Sequence, residues 1–436
     1  VSGAHREAAA PTAPAAAAAA AALGEELADW CRTGTERTFP YTALLAHLRS
    51  VGKHFLAPDL LDRLAACRTR HRADLLAAGP EEAPGSFLGR FLDVVLDKYD
   101  DHYDYPSYTA LELLRRPPSG DWRKLRYRRD RLVLLLLADL VDFEQRALDG
   151  HPEHPVEMLP DARVLDKRRR LAVRVMEPAA LRVLAPGTVD PGTVAATPGR
   201  TAPTLLADAV RDTLSDEERL TLAASVQPVY VLHDEYLFLR VLQSFEATFT
   251  FMSGALACAV RQLHGEEPGE AAPAVAAVAD VLKESLPLFS LLATMQPESF
   301  RIFRQFTDGA SAIQSEGYKT FESFCSTPLR ARLDSAAFTS VPRVRAAVLE
   351  GRETVQGTWH DVADSGWLKE ADATAVRAAA TQLESVHQRW KQTHYRLAVR
   401  MIGERTGTGA TEGVPYLEAV IANRLFPSLV RETTAA

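Results

Sequence analysis

Cysteine is scarce in this 436-residue chain, and the four present, Cys31, Cys67, Cys258 and Cys325, lie far apart with no CxxC pair or zinc-type spacing. That excludes a cysteine-rich scaffold and a sequence-encoded zinc site, and it suits a reducing cytoplasm. Positive charge is also short: 50 Lys and Arg stand against 57 Asp and Glu, a net charge of -7. A general nucleic-acid binder needs the opposite balance to neutralise phosphates. Long apolar runs are missing too. The strongest, Leu132 to Leu140, covers about half of the ~20 residues that span a bilayer, so it reads as a buried helix rather than a membrane anchor.

What remains is ordinary globular composition, 47% apolar and 25% charged, in a chain longer than one core usually serves. Residues 1–24 are Ala- and Pro-rich and read as a disordered leader. Residues 25–150 carry apolar positions at three- and four-residue spacing and read as a helical region. Residues 151–204 concentrate Pro, Gly, Thr and Val, and "RLAVRVM" alternates with period two. This segment is expected to be a linker or insertion with one hairpin. Helical periodicity returns strongly over 205–436, where Phe238, Leu242, Phe245, Phe249 and Met252 form one stripe of a long central helix.

The basic runs Arg123 to Arg131 and Asp166 to Arg170 read as solvated helix faces. The acidic run with Asp97, Asp100, Asp101, His102 and Asp104, and the pair His151 and His154, follow no known metal-ligand order.

Chemistry concentrates near the C-terminus. Val376, Leu383, Val386, Trp390, His394, Leu397 and Met401 share one helix face, which sets His394 in an apolar stripe. Taken alone, such an imidazole is either a core histidine bonded to a carbonyl or a ligand. The following Gly407-Thr408-Gly409-Ala410-Thr411-Glu412-Gly413 is a helix stop and a loop able to present backbone N–H groups, without the Gly-Lys-Ser/Thr of a phosphate loop. Upstream, Phe300 and Arg304 lie four apart, and Arg304 is either a surface ion pair or a clamp for a carboxylate.

Three segments, "HDExLF" at His233 to Phe238, "FR…ASxxQS" at Phe303 to Ser315 and "RW…H…RMIG…GTG…G…YL" at Arg389 to Leu417, together resemble the tryptophan 2,3-dioxygenase superfamily of heme proteins over about half of the chain. The resemblance implies an all-α helical-bundle heme protein, here with an N-terminal helical extension and the 151–204 insertion. It implies that His394 ligates the iron of a non-covalent heme b, with Trp390, Gly407 and Gly409 beside the cofactor. Arg304 would hold a substrate carboxylate, Thr408 and its loop would close over the amino-acid end, and Phe238, Phe300, Ala310 and Ser311 would line the distal pocket against the ring. "YPSYTALELL" is similar to the family segment whose tyrosines line a neighbouring subunit's pocket, so Tyr105 and Tyr108 imply a homo-oligomer, a dimer or tetramer.

The sequence departs from the pattern at Leu242, where the family carries a distal histidine that bonds the indole N–H, and at Ala410-Thr411-Glu412, where Gly-Ser-Ser is more usual. The expected activity is therefore oxygen insertion into, or oxidative rearrangement of, a tryptophan or tyrosine derivative in specialised metabolism, with O2 or peroxide as oxidant. The alternative is a heme or gas sensor that keeps the fold without turnover.

Overall fold

The computed structural model describes residues 13–78, 86–115, 117–152, 157–187, 202–265, 268–403 and 413–430. Among them there is no strand, only an isolated bridge between Glu157 and Leu232. No described helix is long and apolar enough to cross a membrane.

The expected stripe at Phe238 becomes α8, His233–His264. At 32 residues it is about 48 Å long. It is buried on nearly every face, with its buried Arg240 and Gln243 hydrogen-bonded to neighbouring groups. Packed around it are α6 (Trp122–Leu148), α9 (Ala271–Ser285), α12 (Glu316–Cys325) and α13 (Glu370–Ile402). A second, smaller core around Trp30, Leu44, Leu64 and Phe91 is built by α1 (Ala13–Thr33), α2 (Tyr41–Val51), α3 (Pro58–Ala78) and α4 (Phe87–Val95). It is tied to the rest through Arg49, whose Nε donates to the Val226 carbonyl at 3.3 Å.

Three expectations require correction. Helix α1 starts at Ala13, inside the segment read as a leader without fold. An unbroken alanine stretch has the best intrinsic helix propensity, and Leu23, Leu27 and Trp30 give that helix a face to bury. The hairpin of 151–204 is instead α7, Ala162–Val183, capped by the Asp161 carboxylate, which accepts from the Val164 N–H at 2.9 Å. The period-two reading failed because arginines occupy core positions. Leu165, Arg168, Ala172, Val175, Met176 and Ala179 form a buried helical face that looks broken when charges are scored as solvent-facing. Residues 188–201 lie outside the described residues.

The basic runs, third, are not solvated faces throughout. Arg168 is 0% exposed and pairs with Glu144 at 3.2 Å and Asp234 at 2.6 Å. Arg129 is buried beside Asp130, its neighbour on α6, at 2.9 Å, and Arg182 of α7 reaches the same Asp130 at 2.6 Å, so Arg168 and Arg182 fasten α6 to α7. In the acidic run, Asp97 accepts from the buried Lys53 ammonium at 2.6 Å and Asp100 takes the Arg68 guanidinium. Folding also brings together two cysteines that sequence separation hides: the Cys31 and Cys67 sulfurs are 2.9 Å apart, on α1 and α3.

Candidate functional site

Helix α13 ends at Gly403, whose φ of +65° is open to glycine at little cost. On its C-terminal half Trp390, His394, Leu397 and Met401, spaced four, three and four, face a cavity of about 300 Å³. The facing wall is α8, through Phe238, Leu242, Phe245 and Phe249. A third wall is α11 (Pro297–Arg304) and the turn after it, which bring Phe300, Phe303, Arg304, Ala310 and Ser311. Gly309, at φ +95°, supplies a backbone conformation in that turn that other residues rarely adopt. The four-residue helix α5 (Tyr105–Tyr108) adds both tyrosines, and α12 adds Tyr318 and Lys319.

The His394 ring stacks against Phe289, of α10 (Pro287–Leu292), with centroids 5.7 Å apart and planes 16° from parallel. Trp390 approaches it at 5.4 Å. Burial, aided by the nearby Lys319 ammonium, pushes the imidazole down to about 4, so it is neutral with a free lone pair. Among the described residues the ring makes no hydrogen bond, and the buried Trp390 Nε1 beside it has no acceptor. His387, one face-repeat earlier, differs: its Nε2 is 2.8 Å from the Tyr318 hydroxyl.

Polar groups at the cavity are held in place. Gln314 Oε1 accepts from the backbone N–H of Tyr105 at 3.1 Å and of Ser311 at 3.0 Å, joining α5 to the turn. The Tyr105 hydroxyl donates to Glu246 at 3.1 Å, and burial raises that carboxyl to about 7. The Tyr108 hydroxyl lies 3.4 Å from Glu235, raised by burial to about 8 despite backbone N–H groups from Val229 and Tyr230.

Of the residues expected at a site, the structure gathers Tyr105, Tyr108, Phe238, Leu242, Phe300, Arg304, Ala310, Ser311, Trp390 and His394 around this one cavity. Gly407, Thr408, Gly409 and Glu412 lie outside the described residues. Tyr105 and Tyr108 line a cavity within their own chain. Sequence reading missed Glu246, Phe289, Gln314 and Lys319. A polar residue inside an apolar stripe, such as Glu246 one position after Phe245, was the available signal.

No family model matches the chain. It is similar to several proteins named tryptophan 2,3-dioxygenase. One, from Anaeromyxobacter sp. (strain K), is 27% identical over 241 residues, which is 48% of this chain and 89% of that protein. Another, from Polaromonas naphthalenivorans (strain CJ2), is 26% identical over 236 residues, 47% of this chain and 84% of that protein. A third, from Bacillus thuringiensis (strain Al Hakam), is 26% identical over 230 residues, 45% of this chain and 82% of that protein.

Proposed function

We infer that this chain, a divergent member of the tryptophan 2,3-dioxygenase superfamily, is a heme-dependent oxygenase of a small aromatic amino acid or indole-type compound. The observation that carries the reading is a neutral imidazole, His394, without a hydrogen-bond partner among the described residues and set in a largely apolar cavity that Arg304 also lines. His387, in the same wall, is by contrast engaged by the Tyr318 hydroxyl.

The residues fit a non-covalent heme b. His394 would ligate the iron, Phe289 fixes the plane of its ring, and the apolar side chains of Leu397 and Met401 offer the surface that a porphyrin buries. When bound, the heme supplies the iron at which O2 or peroxide is activated. This chain's own residues do the rest. Arg304, at the C-terminal end of α11, presents a guanidinium suited to a substrate carboxylate. Phe238 and Phe300, with ring centroids 5.6 Å apart, form an edge-to-face wall that orients a ring and keeps water out. Tyr105 and Tyr108, kept protonated by burial and adjacent carboxylates, are hydrogen-bond donors and not acids at neutral pH.

Leu242 carries the specificity. It faces the cavity one turn after Phe238 and offers no acceptor to a ring N–H. An indole N–H placed there would lose a hydrogen bond worth roughly 1–3 kcal/mol. A ring with an apolar edge, such as a methylated indole or a phenyl-type ring, loses nothing. Leu242→His is therefore expected to tighten tryptophan binding by roughly tenfold or more, measured as a shift of the heme absorption band. Unchanged tryptophan affinity would refute this account of selectivity.

Arg304→Gln tests the clamp. Removing a charge-assisted contact of about 1.5–3 kcal/mol should weaken binding of an aromatic amino acid roughly 10- to 100-fold, with little change for its decarboxylated amine. Equal losses for both ligands would place the carboxylate elsewhere. Oxygen consumption with a panel of tryptophan, tyrosine and their methylated and halogenated forms decides the activity. Spectral indifference to all of them would favour the sensor that Leu242 also permits.

A further inference from the structure

We propose that the Lys319 ammonium is an anion anchor inside the cavity, binding a carboxylate that belongs either to the edge of the heme or to the aromatic substrate. The proposal rests on the heme-oxygenase reading for the first source and on the cavity alone for the second.

Three lysines are buried among the described residues: Lys53, Lys319 and Lys391. Two are fully engaged. Lys53 pairs with Asp97 at 2.6 Å, and Lys391 donates to the carbonyls of Val420, Ile421 and Asn423 at the end of α14 (Val414–Ile421). Lys319 is 4% exposed and lines the cavity, yet no hydrogen bond or ion pair to its ammonium occurs among the described residues. Among the described residues its one directed contact is with the ring of Tyr318, 4.8 Å from the ammonium.

The nearby carboxylates are committed elsewhere. Glu322 gives both oxygens to Arg332, each at 2.8 Å, and Arg332 goes on to the Tyr416 hydroxyl at 3.0 Å. Glu246 accepts from Tyr105. Among the described residues no carboxylate oxygen contacts this ammonium, and the field of the more distant Glu322 and Glu246 only partly offsets the cost of its burial. An occupant of the cavity that carries a carboxylate would remove that penalty, and a lysine, as a compact point charge, suits a single carboxylate oxygen. Arg304 approaches from a different wall, α11, so a substrate's single carboxylate engages one of the two cations, whereas a heme-edge carboxylate on Lys319 is compatible with Arg304 holding the substrate.

The test compares the wild type with Lys319→Met and Lys319→Arg. Heme-free protein is titrated with hemin and with hemin dimethyl ester, which lacks the acidic groups, and binding is followed by the Soret band. In parallel, calorimetry compares an aromatic amino acid with its decarboxylated amine. If the heme edge is the partner, the wild type prefers hemin over the ester about tenfold or more; Lys319→Met loses that preference with ester affinity unchanged, and Lys319→Arg keeps it. If the substrate is the partner, Lys319→Met keeps the hemin preference and loses the preference for amino acid over amine.

The ligand-free Lys319→Met protein should also melt no lower than the wild type, because it sheds an unpaired charge; a lower melting temperature would mark Lys319 as a structural residue and overturn the proposal. Both ligand preferences surviving in Lys319→Met would overturn it as well. A wild type that gives no Soret band with either porphyrin refutes the heme reading instead, and the calorimetric arm then decides Lys319 by itself.

Discussion

Replacing His394 by alanine is expected to abolish stable heme binding, so that the purified variant, reconstituted beside the wild type, shows no Soret band or loses it on desalting. Groups that only orient a metal ligand are worth about 10–100-fold in affinity, and loss of the ligand itself should exceed that. The side chain makes no hydrogen bond among the described residues and is surrounded by Phe289 and Trp390. Truncation therefore removes no polar partner and leaves α13 folded. Added imidazole should restore part of the band by filling the space. His387→Ala is the control in the same wall: its imidazole is already engaged by Tyr318 and is held well below its ordinary range by burial. That variant should keep a Soret band. An unaltered band in His394→Ala, or its loss in His387→Ala alone, would move the ligand to the other histidine.

The second large effect is on stability. Arg168→Met should lower it by about 3–5 kcal/mol, because removing one member of a buried ion cluster leaves its partners charged and unpaired. Arg168 sits between Glu144 and Asp234 and also donates to Thr294, through Nε to Oγ1 at 3.0 Å and Nη2 to the carbonyl at 3.2 Å. Glu144 in turn meets His233 at 2.9 Å, and Asp234 accepts the backbone N–H of Gln296 at 2.7 Å. Gln296 is the residue before α11, the helix of Phe300 and Arg304. Loss of Arg168 should therefore loosen the clamp wall as well as α7. Urea titration measures the first effect, and proteolysis near residues 296–304 reads the second. Adding Glu144→Gln and Asp234→Asn to Arg168→Met should recover much of the loss, since the stranded charges are then gone. A stability change under about 1 kcal/mol for the single variant would contradict the cluster's cost.

The long apolar stripes of α8 and α13 were legible in the sequence because their periodicity is uninterrupted, and they placed Phe238, Leu242, Trp390 and His394 on the correct faces. Helix α7 was not legible. Its core face contains Arg168 and Arg169, and whether an arginine is solvated or paired depends on carboxylates 24 and 66 residues away in the chain. Glu246 and Lys319 escaped for a related reason: a charged residue on a helix signals a site only once the walls around it are known. Tyr105 and Tyr108 were readable as pocket residues.

Gln314 has a kinetic meaning beyond its hydrogen bonds. The partner it holds at Tyr105 lies 209 positions earlier in the chain, so the cavity closes only through a very long-range contact, the kind that forms late in folding. Acquisition of the cofactor should therefore report completed folding of both halves, lagging behind the growth of helical signal in a refolding experiment.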